Sequence, residues 1–396
     1  MRLSRRAALL GLGSAWSLGP ASLAVAALPQ ARAPTECRLV VIVLRGALDG
    51  LAAVVPYGDP ALAAARPGLL TAPPGQPGGL RDLGGFFGLH PALAALHARY
   101  VAGEALLVHA VAGDWRSRSH FEAQDYLELG AARRPEHSGW LNRVAGALGP
   151  APRGEQALAA GPRLPLLLRG AAPVGEWEPK GTARPPAEIY AKVAELHRHD
   201  ALTGPAIAAG LRERGFTAQV LAGIGLPQEG GPFAALAAGC ARLLAAPDGP
   251  RLAALELDGW DTHQAQLPRL ARLLGQFDAG LAALHAGLGP AWDSTVVLAM
   301  TEFGRTVRAN GTGGTDHGTG SVAFLLGGPV AGGRVIRDWP GLATNRLFEA
   351  RDLAPTSDLH AIAAGVLRDH LRLDAAALAQ IFPDSTAAAT GGLMHA

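Results

Sequence analysis

Residues 37–50 read CRLVVIVLRGALDG. Six consecutive apolar residues, Leu39 to Leu44, four of them β-branched, end at Arg45 and Gly46. A run this short and this uniformly apolar predicts a strand buried on both faces, the first strand of a helix-covered α/β sheet. The same signature recurs in ALLVHAV (105–111), RLAALEL (251–257), STVVLAM (294–300) and SVAFLLGG (321–328). Between them lie helical patterns: ALAALHARYV (92–101), FEAQDYLELGAARR (121–134), SGWLNRVAGAL (138–148), PFAALAAGCARLLAA (232–246) and LPRLARLLGQFDAGLAALHAGL (267–288). Strands alternating with helices of this length predict a mostly parallel central sheet with helices on both faces. Ligands bind such sheets at the carboxyl ends of the strands.

Residues 149–180 are rich in proline and glycine around a short strand pattern, PLLLRG (165–170), and read as an inserted or connecting region within one domain. Residues 186–246 carry mostly helical signals. No internal repeat, heptad run, phosphate-binding glycine fingerprint or CxxC pair is present.

Of the 396 residues, 49% are hydrophobic and 17% charged, ample for the core of one large domain. The formal charge of +2 is more than accounted for by Arg2, Arg5 and Arg6, so the remainder is slightly acidic. That balance excludes general nucleic-acid binding, which needs a clustered basic face. The opening MRLSRRAALLGLGSAWSLGPASLAVA (1–26) has a basic patch, an apolar stretch and a small-residue pattern at Ala24-Val25-Ala26, which predicts a cleaved export signal. Ser4-Arg5-Arg6 resembles a twin-arginine signal, the route for proteins exported already folded, to the periplasm or beyond. Gly11, Gly13, Ser14, Ser17 and Pro20 suit the segment poorly to spanning a membrane, so the mature chain, 27–396, is read as non-spanning. Cys37 and Cys240 are open to two readings, a bridge or two separate thiols.

Polar residues gather just past the predicted strands: Asp49, Arg116 to His120, Asp258, Asp261, His263 and Glu302, with Asp316-His317 preceding SVAFLLGG. DGWDTH (258–263) sets a carboxylate and an imidazole two residues apart in an irregular loop, which suits zinc, manganese or iron, or else is a solvated loop with a capping aspartate. Asp258 is a second ligand or a turn residue. GTDHGTG (314–320) offers His317, with Asp316 joining it or orienting it, and glycines on both sides let the backbone approach an ion or anion. RSRSHFEAQ (116–124) places Ser117 and Ser119 between arginines at a helix start, where a serine can attack or hold an anion, or simply cap the helix. The remaining histidines, among them His109, His97 and His285, read as structural. No GxSxG elbow appears, so an ordinary serine esterase is not indicated.

RGALDGLAAVVPYGDP, LHPALAALH, SRSHFEAQDYLELG, DGWDTHQAQ, TEFGRT and GTDHGTGSVAFLLGG, in this order behind such a leader, resemble the domain-of-unknown-function 1501 family of exported bacterial proteins. That family is similar to the alkaline phosphatase and sulfatase superfamily, whose members transfer phosphoryl or sulfuryl groups with metal ions and a Ser, Thr or modified Cys nucleophile. The resemblance implies an alkaline-phosphatase-like fold with one or two divalent metals, zinc, manganese, magnesium or calcium. It would place Asp261, His263 and His317 on one metal, and Asp49, Glu302 and the nucleophile Ser119 on the other. Arg116, Arg118 or Arg305 would clamp an anionic ester. Phe303 stands where the superfamily has a histidine, so the second site is poorer in ligands, with Asp258 or Asp316 available to compensate. The implied activity is an exported hydrolase of phosphate or sulfate esters, acting through Ser119 or a water activated by the metal. The alternative is a non-catalytic descendant that binds metal, an envelope glycan or a protein.

Overall fold

Leu39, Val41 and Val43 face one hydrophobic core, and Val40, Ile42 and Leu44 face another. Alternate residues of a strand point to opposite faces, so this strand, β1 (Arg38–Arg45), is covered on both sides. Each such side chain contributes roughly 1.5–3 kcal/mol by burial, which is why no polar residue interrupts the run. The structure is a computed structural model describing residues 36–131, 137–151, 155–179, 187–201, 203–336 and 338–395. The predicted leader, 1–26, lies outside the described residues.

The remaining strands of the main sheet are β2 (Ala105–Ala112), β3 (Ala157–Ala160), β4 (Val174–Trp177), β5 (Leu252–Asp258), β6 (Thr295–Met300), β7 (Ser321–Leu326), β8 (Arg334–Ile336) and β9 (Ser357–Asp358). The longer helices are α1 (Ala94–Val101), α2 (His120–Leu129), α3 (Trp140–Ala147), α4 (Ala187–His197), α5 (Thr203–Val220), α6 (Gly231–Ala245), α7 (Gln266–Leu288), α8 (Leu359–Asp369) and α9 (Ala375–Ile381). The strand order is β8-β2-β7-β6-β1-β5-β3-β4, with β9 also paired to β2. Residues from α1, α6 and α7 line one core, and residues from α2, α3, α8 and α9 the other. In α7, Leu270, Leu273, Leu274, Phe277, Leu281, Leu284 and Leu288 are all buried, the spacing of one helical face. No helix among the described residues is long and apolar enough to cross a membrane.

The sheet is mixed, which amends the mostly parallel expectation. β1 runs parallel to β5 and β6, and β3 parallel to β4 and β5, but β7 is antiparallel to both β6 and β2. The physical reason lies in the connection: residues 301–320 form a loop without a crossover helix, and only a crossover returns a chain to a parallel neighbour. The proline- and glycine-rich stretch supplies β3 and β4, which extend the sheet, while PLLLRG forms a 3-10 turn at Leu166–Leu168 instead of a strand. Cys37 and Cys240 are free thiols, and burial pushes Cys240 up to about 12.

His109 and His360 are wholly buried in this framework, and burial pushes each down to about 4 from 6.5. The unfolded chain therefore binds more protons than the folded one between these values. Their contribution to stability is complete above pH 6.5 and is lost as pH falls toward 4, on the order of 3 kcal/mol for each. Urea midpoints are expected to drop steeply across this window, and a flat profile would show that neither imidazole is buried neutral.

Candidate metal centre

β6, β1 and β5 are neighbours, so the loops leaving their carboxyl ends converge. The loop after β1 brings Gly46, that after β5 brings Asp261 to His263, and that after β6 begins with Glu302. Gly46 has φ 114, and a Cβ there would stand 2.7 Å from the Asp261 nitrogen, so the first and second loops touch only because this residue is glycine. The third loop folds back on itself. Gly304 N–H donates to Thr319 O (2.8 Å), Gly318 N–H donates to Gly304 O (2.9 Å), and Arg305 pairs with His317. A Cβ on Gly318 would meet the Arg305 carbonyl carbon at 2.4 Å, so this glycine serves an approach of backbone to backbone.

Helix α2 completes the site. It leaves the extended Ser119 (φ −88, ψ 121), begins with His120 and ends at Gly130 in the left-handed conformation (φ 67). His120 Nε2 lies 3.0 Å from His317 Nε2, which lies 3.0 Å from His263 Nε2. Asp261 Oδ1 is 3.0 Å from His263 Nε2, 3.2 Å from His317 Nε2 and 3.6 Å from His120 Nε2. Among the described residues, His120, Asp261 and His317 form a group whose donor atoms all lie within 4.8 Å of one another, able to hold a metal ion.

The outer nitrogens decide the chemistry. His120 Nδ1 faces Glu302 Oε1 (2.8 Å), His317 Nδ1 faces the Arg118 carbonyl (2.9 Å) and His263 Nδ1 faces Asp316 Oδ1 (3.2 Å). Each partner is an acceptor, so each neutral ring carries its proton on Nδ1 and turns a bare Nε2 inward. Three lone pairs and a carboxylate oxygen at these separations repel unless a proton or cation lies among them. Within the group of His120, Asp261 and His317 the separations of 3.0, 3.2 and 3.6 Å also bracket the roughly 3.3 Å donor spacing of a tetrahedral zinc shell, while His263 lies beside that group, 3.0 Å from His317 Nε2 and from Asp261 Oδ1.

The surrounding charges hold this arrangement. The hydrogen bond to Glu302 raises the His120 pKa, while burial lowers that of His317. Burial alone would raise Glu302 and Asp261, but both are held below the usual carboxylate range. Hydrogen bonds from His120, Gln124 and Gly46 outweigh burial for Glu302, and the hydrogen bond and charge of Arg305 do so for Asp261.

Of the residues singled out in the sequence, Asp261, His263, Glu302, Asp316 and His317 are brought together. Glu302 sits behind His120: Oε1 accepts from Gly46 N–H (2.9 Å), Gln124 Nε2 (2.9 Å) and His120 Nδ1 (2.8 Å), and Oε2 accepts from Thr301 Oγ1 (3.0 Å). Asp316 orients His263, not its own neighbour His317. Asp49 is elsewhere engaged. Its Oδ2 accepts from Arg66 Nη1 and Gln266 Nε2, both at 2.6 Å, in a pair buried to 1% exposure on each side. Asp258 is exposed at the end of β5 and joins no cluster among the described residues.

Arg305 is buried and donates to Asp261 Oδ1 (2.6 Å) and to Thr315. Arg118 is bound to Asp352 (2.7 Å) and Glu349 (2.6 Å). Arg116 is exposed and donates to the Gly113 carbonyl. Ser117 Oγ donates to Glu122 and accepts the Ser119 N–H (3.1 Å), leaving the Ser119 hydroxyl without a hydrogen bond among the described residues. Phe303 stacks on His120 with centroids 5.0 Å apart and packs with Ala47 and Ala123, an apolar wall beside that imidazole. His120 is the residue that sequence reasoning passed over. Its signal in the sequence is a histidine that opens a helix just after a strand-end loop.

Fold and site together define a helix-covered α/β protein with a histidine-rich centre at its strand ends. The chain belongs to the family described as "Protein of unknown function (DUF1501)", which it matches over residues 112–382. No curated protein matches it. Among solved structures it is similar to the C-terminal periplasmic domain of EptC from Escherichia coli in complex with zinc (12% identity, 74% of this chain and 73% of that one, TM-score 0.35). It is also similar to a protein in the alkaline phosphatase superfamily from Vibrio parahaemolyticus (11%, 76% and 62%, TM-score 0.34). A third is the phosphonate monoester hydrolase of Agrobacterium radiobacter (12%, 76% and 70%, TM-score 0.31). At these scores no conclusion about this chain rests on them.

Proposed function

We propose that this chain is an exported metal-dependent hydrolase of phosphate or sulfate esters, built on one metal centre. The observation that carries this is the convergence of three outwardly tethered imidazoles on Asp261. Nitrogen donors of this kind favour zinc, manganese or iron over magnesium or calcium, which prefer oxygen alone. A bound ion would supply a Lewis acid for the oxygens of the transferred group.

The chain's own residues supply the remainder. Ser119, between the Arg118 carbonyl that holds His317 and the His120 side chain, is the proposed nucleophile, with the positive end of α2 behind it. Its Oγ would bond to phosphorus or sulfur as the ester oxygen leaves with a proton, and water would then free the serine. Arg116 is the guanidinium open to an anion, since Arg118 and Arg305 already hold carboxylates. Glu302, Asp316 and the Arg118 carbonyl keep the imidazoles aimed. The leader supports release outside the cytoplasm.

Ser119→Ala is expected to lower kcat by roughly a thousandfold or more while bound metal stays the same. Unchanged turnover would remove Ser119 from the chemistry. A second reading is favoured by one observation: His263 Nε2 lies 3.0 Å from both Asp261 Oδ1 and His317 Nε2, a fourth protein donor beside the three, and a shell closed by protein donors is the form of structural zinc sites. It describes a non-catalytic metal protein that binds an envelope glycan or a protein, and it requires one bound metal with no turnover of any ester.

A further inference from the structure

Glu349 and Ala350 both take the left-handed conformation, with φ 52 and 53, although neither is glycine. Two such residues in succession are costly, and the surroundings must hold them there. The turn they form, residues 347–353, is fastened to both limbs of the 301–320 loop. On the outgoing limb Thr306 pairs with Asp352 in an isolated β-bridge, and Val307 N–H donates to the Arg351 carbonyl (3.3 Å). On the returning limb Arg351 Nη2 donates to the His317 carbonyl, Thr319 Oγ1 donates to Asp352 Oδ2 (2.9 Å), and Gly320 N–H donates to the Leu353 carbonyl (3.1 Å).

The same turn grips one side chain from across the site. Arg118 Nε and Nη2 donate to Asp352 Oδ2 (3.1 and 2.7 Å), and Nη2 donates to Glu349 Oε2 (2.6 Å). Asp352 is wholly buried, whereas the Glu349 side chain is 56% exposed. Arg118 also accepts at its backbone, where its carbonyl takes the His317 Nδ1 proton (2.9 Å). Among the described residues, the other hydrogen bonds of residues 114–119 stay within 113–126: Arg116 to the Gly113 carbonyl, Ser117 to Glu122, Ser119 N–H to Ser117, Asp114 N–H to Tyr126 and Ala123 N–H to Ser119. Arg118 is thus the residue by which this segment is tied to the rest of the site. Two residues further on stands His120, with Nε2 3.0 Å from His317 Nε2.

We infer that residues 347–353 form a clasp for the metal centre, in which Asp352 and Glu349 are positioning residues. By holding Arg118 they set Ser119 and His120 against His317, whose backbone the same turn holds through Arg351. One piece of chain thereby fixes the distance between the imidazole carried by α2 and the imidazole carried by the loop. Ligands aimed in advance by such partners bind an ion more tightly, because less reorganisation accompanies binding. The inference rests on the proposed metal centre, and on the hydrolase reading only for the part Ser119 plays, so it is measurable without turnover.

Titration of the metal-free full chain with cobalt(II), followed by its visible absorption, is the test, and the urea midpoint of the metal-free protein reads stability separately. A turn that only stabilised the fold would move the midpoint and leave the cobalt affinity of the folded protein unchanged. Asp352→Asn and Arg118→Ala are each expected to weaken cobalt binding between about tenfold and a hundredfold. Because Asp352 acts through Arg118, the double variant should bind little more weakly than either single one. Arg118→Lys keeps a cation for Asp352 and should recover part of the loss. If Asp352→Asn does not fold, Glu349→Ala, at an exposed side chain, carries the test with a loss of about twofold to fivefold. Unchanged affinity in the folded variants, or losses that add in the double variant, would overturn the inference, and turnover of esters by the wild type would then leave the hydrolase reading standing. Losses as expected in a protein that turns over no ester would sink the hydrolase reading and leave the clasp. Wild-type protein that takes up no cobalt would remove the centre and the clasp together.

Discussion

His120→Ala is expected to weaken binding of zinc or manganese by more than about a hundredfold, while the protein stays folded. His120 supplies one of the bare nitrogens of the centre, and its ring is held by Glu302 on one side and stacked on Phe303 on the other. Its removal takes away a donor and also unties Glu302. The half-exposed position of His120 means that no large cavity opens in the core. Glu302→Gln should show a smaller loss, between about tenfold and a hundredfold, because it disturbs the orientation of the ligand and not the ligand itself. Titration with a competing chelator measures both. Equal affinity in wild type and His120→Ala would exclude this residue from the centre, and with it the geometry derived above.

Arg66→Leu is expected to destabilise the fold by about 3–5 kcal/mol without releasing the metal. Arg66 donates to Asp49 Oδ2 (2.6 Å), to the Thr306 carbonyl (2.8 Å) and to the Val307 carbonyl (2.9 Å), all away from water. Its loss strands a buried carboxylate whose other oxygen, Oδ1, already has no hydrogen-bond partner. Asp49 also holds Gln266, whose Oε1 accepts from Thr262 and Thr315, and Thr315 accepts in turn from Arg305. A buried polar chain thus runs from Arg66 to the arginine that grips Asp261. Replacing both partners with apolar residues should cost less than the sum of the single changes, as expected for a coupled pair. Urea unfolding reads the stability, and metal content reads the centre. Loss of metal in Asp49→Asn with stability unchanged would return Asp49 to the ligand role that the resemblance implied.

Much of the framework was legible in the sequence because burial on both faces leaves a strong pattern. β1, β2, β5, β6 and β7 were all visible as apolar runs. β3 was not, because Ala157 to Ala160 has neither β-branched residues nor alternation, and only its position beside β5 makes it a strand. The direction of β7 depended on a loop whose length gives no sign of where it returns. The site was legible in parts. Asp261, His263 and His317 stood out because ligand chemistry clustered in glycine-rich loops behind strands. The role of Glu302 depended on where His120 would arrive from helix α2, and the engagement of Asp49 depended on Arg66, an arginine in an otherwise ordinary alanine-rich stretch. Such long-range pairings are properties of the folded chain. Phe303 sets its ring beside the imidazoles, stacked on His120 and tilted against His317, a contact its place in the sequence does not disclose.

The proposed centre holds one transition-metal ion on His120, Asp261 and His317, with His263 beside them. X-ray absorption at the metal edge of the purified protein tests it most directly, with the metal content of the same sample. One ion per chain with a shell dominated by imidazole nitrogen is expected, with loss of one nitrogen scatterer in His120→Ala. Protein that neither retains nor takes up a transition metal, or an ion bound by oxygen alone, would contradict it.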